Sequence, residues 1–372
     1  MALTRGRDCS VYMGSNMSSR DQAAPDAAGP ARSAYPESYP FNHWWIAARS
    51  TEVEHGRILS RRLLGLDVAI YRRQDGTVAA VEDRCAHRGV PLSMGWVEGD
   101  NLVCRYHGFR YAPDGRCVMI PTQDKIPAKA RVRSFPVVEH APFLWIWTGD
   151  PDLAHASKAP DYPWLRDETW STAVGYTPIA CNWMMLKENV LDLTHFSYLH
   201  ASTFEMDGEY STPPEYAFES GIVSFRQTFI DKPLPPAYTR HSELAGRPFD
   251  RYDEGSSLSP AEHSFLSRIV CRQPQPGEPG EYHMRFLHLT TPESPKSMHY
   301  WWVMGRDHAR NPEAVAAITD LTTQAFEEDR VMLEALQRQV DKQGGVITEV
   351  SVLADQAGLQ ARRQLQLAMK NG

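Results

Sequence analysis

Cysteine is scarce in this chain, six among 372 residues. Four of the six, Cys9, Cys117, Cys181 and Cys271, lie scattered without the close, even spacing of a disulfide framework. That excludes a small disulfide-stapled scaffold and fits a reducing, cytoplasmic setting. Long apolar runs are also missing: none approaches the ~18 residues that a membrane span needs. Arg5 and Arg7 are not followed by an apolar segment, so no secretory leader is expected. Positive charge is not in excess either. A formal net charge of −7 argues against a broad nucleic-acid-binding surface. Finally, no Gly-x-Gly-x-x-Gly stretch occurs, so the chain lacks the usual fingerprint for a flavin or nicotinamide dinucleotide.

What is there begins with an uneven charge. Residues 41–133 hold fifteen Lys/Arg against ten Asp/Glu, while the rest of the chain is acidic. A basic segment of this kind suits the docking of an acidic redox partner, and equally an ordinary solvated surface. The length is comfortable for two domains. Residues 1–38 are rich in Ala, Ser, Pro, Gly and Arg and poor in large apolar side chains. They cannot bury enough surface to offset ordering entropy, and read as a disordered extension. From 39 to 150 the signals are short strands and turns. Leu66–Arg72 and Thr77–Val81 flank an Asp75-Gly76 turn, a hairpin signature, and Phe143–Trp147 reads as a strand.

Residues 151–170, with Pro151, Pro160 and Pro163, read as a linker into a second domain, 151–372. A helical segment is predicted over 182–200 and strands over 221–230, 266–272, 281–291 and 297–305. The stretch 231–262 between them is rich in Pro, Gly and Ser and reads as a long loop or lid. Asn311-Pro312 makes a helix start, N-cap followed by Pro at the first helical position, for a helix running to about Lys342. The fold class expected is α+β: an N-terminal all-β domain, then an antiparallel sheet with helices against it.

Two constellations carry chemistry. The first is Cys85-x-His87 and, after sixteen residues, Cys104-x-x-His107. Zinc accepts two Cys and two His, but zinc sites more often pair Cys with Cys and His with His along the chain. A Rieske [2Fe-2S] centre has two Cys on one iron and two His on the other, so one Cys and one His from each of two neighbouring loops suits it. The second is Asn189, Asp192, His195 and His200. The first three step by three along one side of a helix, whereas His195 and His200 are about 140° apart on a regular one. They meet at one ion only if the helix breaks, which is predicted near Phe196–Leu199. Two His and one carboxylate make the facial triad of non-haem Fe(II) oxygenases. The late helix has an aspartate, Asp329, on a stripe with Ile318, Thr322, Ala325, Met332, Leu333 and Leu336. An acid there is either a metal ligand or half of a buried salt bridge. Glu327, Glu328 and Arg330 read as exposed charges. Asp192 is a rival ligand by position.

Residues 85–108 resemble the Rieske domain of bacterial Rieske non-haem iron oxygenases. Respiratory Rieske proteins are similar but join the two loops by a disulfide; Val90 and Tyr106 stand where its cysteines would fall. Asn189-x-x-Asp192-x-x-His195-x4-His200 resembles the iron-site helix of the oxygenase α subunit. Glu328-Asp329-x4-Glu334 resembles the helix that supplies the third ligand. Arg133–Glu139, Trp145–Pro151 and Thr291–Ser294 look like the branch that includes vanillate O-demethylases and toluenesulfonate methyl-monooxygenases.

The resemblance, from about residue 40 to 365, implies a Rieske domain and a catalytic iron domain. The cluster ligands would be Cys85, His87, Cys104 and His107, and the iron ligands His195, His200 and Asp329. Asn189 would lie beside the iron. Asp192 would accept hydrogen bonds from a ligand His here and from a cluster His of the next subunit in a homotrimer. A separate flavin and iron-sulfur reductase, directly or through a ferredoxin, would supply NADH electrons. One atom of O2 would enter an aromatic substrate, most simply a methoxybenzoate- or vanillate-like acid that loses formaldehyde. Hydroxylation of an aromatic methyl or ring carbon is the alternative, and an electron-transfer Rieske protein without oxygenase activity is the alternative of another class. His288 is the candidate for holding a substrate carboxylate or hydroxyl, against an ordinary His buried in a sheet. Arg240, Arg247 and Arg251 either meet an anionic substrate or are exposed loop arginines.

Overall fold

A computed structural model describes residues 35–371 apart from 207, 212–213, 220, 243 and 346–348. Of the extension expected over 1–38, residues 1–34 lie outside the described residues. Tyr35 is buried, and its hydroxyl lies 3.3 Å from Glu349 Oε1, so packed chain begins inside the expected extension.

The N-terminal part is built from three small antiparallel sheets. Trp44–Arg49, Phe143–Trp147 and Val137–His140 form the first, with the run Phe143-Leu-Trp-Ile-Trp buried throughout. The expected hairpin is present as Leu66–Arg72 and Val78–Glu82, with Ile58–Leu63 and Ser134–Phe135 on its flanks. Its turn closes through the Asp75 carboxylate, which accepts the Thr77 N–H at 2.9 Å while Gly76 takes φ +85°. The third sheet, Trp96–Glu98, Asn101–Val103, Arg110–Tyr111 and Cys117–Met119, shares with the second a core of Tyr71, Val81, Leu92, Leu102 and Tyr111.

The second part is a seven-stranded antiparallel sheet. Its order is Ser171–Ile179, Ser297–Arg306, Glu281–Ser294, Glu262–Val270, Pro248–Ser259, Ile222–Pro233, Glu215–Glu219. The helices are α1 (Trp183–Leu191), α2 (Ala201–Phe204), α3 (Pro236–Thr239), α4 (Pro312–Lys342) and α5 (Gln356–Asn371). α4 starts as expected: Asn311 Oδ1 accepts the Ala314 N–H at 2.9 Å. Its Phe326 packs edge-on against Tyr300 and Trp302 of the sheet. None of the described helices is long and apolar enough to cross a membrane.

Part of the expected 231–262 loop is instead the strand Pro248–Ser259. Its inward positions are Phe249, Arg251, Asp253, Gly255 and Ser257, all buried. The alternation was there, but four of its five inward residues are not apolar, so hydropathy hid it. Arg251 is therefore not an exposed loop arginine. It is 2 % exposed, pairs with Glu209 and with Asp253 at 3.1 Å, and stacks over Phe229 and Tyr238. Asp253 also accepts from Tyr210 (2.7 Å) and Ser267 (2.5 Å). A buried pair so fully hydrogen-bonded orients its neighbours more than it stabilises. Here it ties Glu209, Tyr210 and α3 down onto the sheet. Arg240 and Arg247 meet Glu205 and Glu278.

The two parts share one apolar core, which includes Trp45, Trp145, Trp183 and Trp301. Leu64 N–H donates to Pro292 O at 2.6 Å and Thr291 Oγ1 to Ile46 O at 2.6 Å across the junction. α1 is pinned from two sides. Buried Lys187 donates to Ser257 Oγ (2.7 Å) and Ser259 O (2.8 Å) of the sheet. Glu188 pairs with Arg362 of α5.

Candidate metal sites and substrate pocket

The Cys85 and Cys104 loops fold alike. Each Cys N–H donates to the carbonyl five residues on, Val90 or Phe109, at 2.8 Å. Each glycine four residues on, Gly89 or Gly108, donates back to the Cys carbonyl at 2.9 Å. Both glycines have positive φ, +74° and +69°, a conformation cheap only for glycine. The result is two buried sulfurs and two exposed imidazoles. Cys85 and Cys104 are 3 % and 1 % exposed, while the His87 and His107 rings lie 4.6 Å apart, centroid to centroid, at the surface. Tyr111 OH sits 3.2 Å from Cys85 Sγ and accepts the Ala86 N–H. This division, sulfur inside and imidazole outside, fits a cluster with one iron on each side.

The second constellation closes because the chain leaves the helix twice. α1 stops at Leu191, and Asp192 turns out to extended geometry and caps a 3-10 turn, Leu193–Ser197, by accepting the Thr194 N–H at 2.9 Å. The chain breaks again at Tyr198 before α2. The break expected near Phe196–Leu199 is thus joined by an earlier one at Asp192. Together they bring the His195 and His200 rings to 5.1 Å. Asp329, 4 % exposed on α4, faces both: its Oδ1 lies 3.6 Å from His195 Nε2 and 3.3 Å from His200 Nε2. One donor atom from each of the three lies within 4.8 Å of the others. Asn189 Nδ2 donates to the same Oδ1 at 3.0 Å. His195 Nε2 is buried without a hydrogen-bond partner. Two Nε2 atoms and a carboxylate oxygen aimed at one point, with both Nδ1 atoms already engaged, are a donor set for a divalent metal.

Two expectations about this site are corrected. Asp192 does not offer its carboxylate to His195. The Nδ1 of His195 meets the main-chain carbonyl of Asp192, at 2.6 Å, because the turn folds that carbonyl under the ring. Glu328 is not an exposed charge. Its Oε2 lies 2.7 Å from His200 Nδ1, and its Oε1 accepts from Thr203 (2.6 Å) and Gln324 (3.1 Å). It lies one residue off the buried stripe, where helical periodicity places solvent. Only the approach of α2 to that flank covers it. Conversely Met332 and Leu336, expected on the stripe, are 53 % and 36 % exposed.

Electrostatics follows this geometry. Burial works to lower both histidines and wins at His195. At His200 the carboxylates of Asp329 and Glu328 outweigh burial and hold it above the ordinary imidazole value. Burial would raise Asp329, but the hydrogen bond from His200 and the charges of both rings hold it low.

The three residues open into a mostly apolar pocket lined by Phe196, Phe204, Met206, Phe265, Met284, Phe286 and Phe326 among others. Its polar members away from the triad include His263 and His288, which face each other on paired strands with rings 5.6 Å apart. His288 Nδ1 lies 2.8 Å from Tyr300 OH, and His263, 2 % exposed, has an Nδ1 without a partner. Burial pushes His288 down to about 4 and His263 well below its usual range, so both are neutral imidazoles. His288 is therefore both half-buried in the sheet and part of the pocket wall. His263 was missed; its signal was its place opposite His288, which requires the strand register.

Residues 179–371 match the Vanillate O-demethylase oxygenase C-terminal domain, and residues 43–136 match the Rieske [2Fe-2S] domain. The chain belongs to the Rieske non-haem iron oxygenases. It is the oxygenase component of a monooxygenase, and its cofactors are a Rieske [2Fe-2S] cluster and a mononuclear iron. The iron-sulfur subunit of the toluene-4-sulfonate monooxygenase system of Comamonas testosteroni is 32% identical over 306 residues, 79% of this chain and 87% of that protein. The dicamba O-demethylase oxygenase component of Stenotrophomonas maltophilia is 31% identical over 333 residues, 87% and 96% of the two chains. Among solved structures, dicamba monooxygenase bound to 3,6-dichlorosalicylic acid superposes with a TM-score of 0.80 at 29% identity, covering 90% of this chain and 98% of that one. The form holding non-haem iron and dicamba gives 0.70 at 27% identity, with the same coverage.

The neutral His288 makes a pH prediction. Its value is about 4 folded and near the ordinary 6.5 unfolded, so between these the unfolded chain takes up the proton first. Stability therefore falls as pH drops from about 6.5 toward 4, by up to about 1.4 kcal/mol per pH unit from this group. Denaturation midpoints of His288→Gln across that window should fall less steeply than those of the parent; an unchanged slope rejects the assignment.

Proposed function

We propose that this oxygenase oxidises a methoxy-substituted aromatic acid of the methoxybenzoate or vanillate kind, releasing formaldehyde. The observation that carries the reading is the pocket. One apolar, Phe-lined pocket is bordered by both the His195–His200–Asp329 group and the neutral His263–His288 pair. A flat ring suits the walls, and two neutral imidazoles suit a carboxylate or hydroxyl by hydrogen bonding rather than by charge. Relatives named as O-demethylases, for dicamba and vanillate, support the reaction type. The toluene-4-sulfonate relative keeps methyl hydroxylation as the second reading.

In this reading Cys85, His87, Cys104 and His107 hold the cluster, and His195, His200 and Asp329 hold the iron. When bound, the two groups supply one-electron transfer and the activation of O2. The chain's own side chains position and exclude. Asn189 fixes the carboxylate of Asp329. The aromatic walls keep bulk water from the reacting carbon, and the segments tied down by Arg251 roof the slot. His195→Ala should keep the visible cluster absorption, lose the mononuclear iron and abolish turnover. Incubating methoxybenzoates with a generic reductase should yield formaldehyde in the parent; turnover without formaldehyde would move the reaction to a methyl or ring carbon.

The electron donor is a separate reductase, directly or through a ferredoxin. Arg84, Arg88, Arg105, Lys125, Lys129 and Arg131 are exposed around the cluster loops and form no ion pair among the described residues. Of the nearby acids, Glu98 and Asp114 are taken up by Arg110 and Arg116, and Asp124 lies exposed beside Lys125. This surface suits an acidic partner. Charge reversal at Arg88 and Arg105 should raise KM for the reductase several-fold at low salt, with the gap closing as salt rises; a KM independent of both would remove the docking role.

The chain acts as a homotrimer in this reading, with His107 of one subunit facing Asp192 of the next. A groove beside Asp192 carries exposed Tyr198, Met332, Leu336 and Val350, apolar area suited to cover by a neighbour. Sedimentation should give the mass of three chains. Asp192→Asn should keep iron and the trimer yet slow reduction of the iron in a single turnover; normal reduction would sink the bridge role.

A further inference from the structure

The two histidines proposed to hold iron are oriented by different means. His195 has a neutral main-chain carbonyl behind its Nδ1, at 2.6 Å. His200 has a carboxylate, Glu328 Oε2, at 2.7 Å. Glu328 is itself fixed, since Oε1 accepts from Thr203 and Gln324, which are joined to each other at 3.0 Å. Its side chain keeps 24 % of its exposure, whereas His200 keeps 1 %. The carboxylate thus reaches from the rim of the protein to a buried ring.

We infer that Glu328 is a positioning residue for the iron site: it holds His200 with Nε2 toward Asp329 and makes that imidazole the stronger donor. This rests on the ligand assignment proposed above. Two arguments support it. An anion on the N–H of an imidazole fixes its tautomer and raises its basicity toward a metal at the other nitrogen. Charge balance points the same way. A dication beside buried Asp329 alone leaves one positive charge uncompensated, which is costly in an apolar surrounding. Glu328, one ring away, supplies the second negative charge.

A purely structural role, clamping α2 to α4 through Thr203, would use the same carboxylate, so the test separates the two. Fe(II) affinity of the chain, freed of mononuclear iron but retaining its cluster, is measured by competition with a chelator. Co(II) visible bands report the ligand field at the same site. Glu328→Ala should weaken Fe(II) binding by about 10–100-fold, the range typical for such outer partners, and shift the Co(II) bands. Glu328→Gln, which keeps an acceptor oxygen but not the charge, should recover part of the affinity. Thr203→Val should stay within about threefold of the parent, and the cluster absorption should persist in all three. Parent-like affinity in Glu328→Ala, or a Thr203→Val defect equal to it, overturns the inference. His200→Ala distinguishes the levels: if it retains iron, the ligand assignment fails; if it loses iron while Glu328→Ala does not, only the role of Glu328 fails.

Discussion

A carboxylate buried among aromatic rings is the constraint around which the catalytic part is arranged. Asp329 stays charged at 4 % exposure because His200 and the Asn189 amide meet its carboxylate and the His195 ring lies beside it. Each comes at a conformational cost. α1 must end at Leu191 so that His195 swings toward α4, and the chain must break again at Tyr198 so that His200 follows. Lys187 and Glu188, the two residues before Asn189, fasten α1 to the sheet and to α5. The arrangement of helix, turn and second helix is what lets one buried oxygen face both rings.

Much of this could be read beforehand, and what could not has physical reasons. The cluster loops announce themselves because Cys, His and Gly at fixed offsets have few other uses. His195 and His200 were legible as a pair because their spacing is wrong for a regular helix, which itself calls for a break. Asp329 stood out as an acid on an apolar stripe. Glu328 did not, since its burial depends on a neighbouring element rather than on its own helix. The strand Pro248–Ser259 was hidden for a related reason: its inward residues include Arg251 and Asp253, which satisfy each other across the sheet. Periodicity detects apolar faces; it is blind to a polar face that becomes dry through pairing. The partnership of His263 with His288 required register, which local sequence does not encode.

The pocket combines a rigid floor with a tethered roof. Its floor is the sheet, where Phe265, Phe286, His263 and His288 project from paired strands. Its roof, Phe204, Met206 and Tyr238, belongs to shorter elements. Arg251 joins the two, because it pairs with Glu209 beside one roof segment and stacks under Tyr238 in the other. The pocket is therefore walled by strands on one side and by short segments anchored by one buried cation on the other.

The apolar core that runs from Trp45 and Trp145 into Trp183 and Trp301 also decides how time enters the reaction. The described residues from Tyr35 onward form one compact unit, so the loops bearing Cys85 and Cys104 are not carried on a swinging arm. A tethered carrier can regulate delivery by travelling; a welded one cannot.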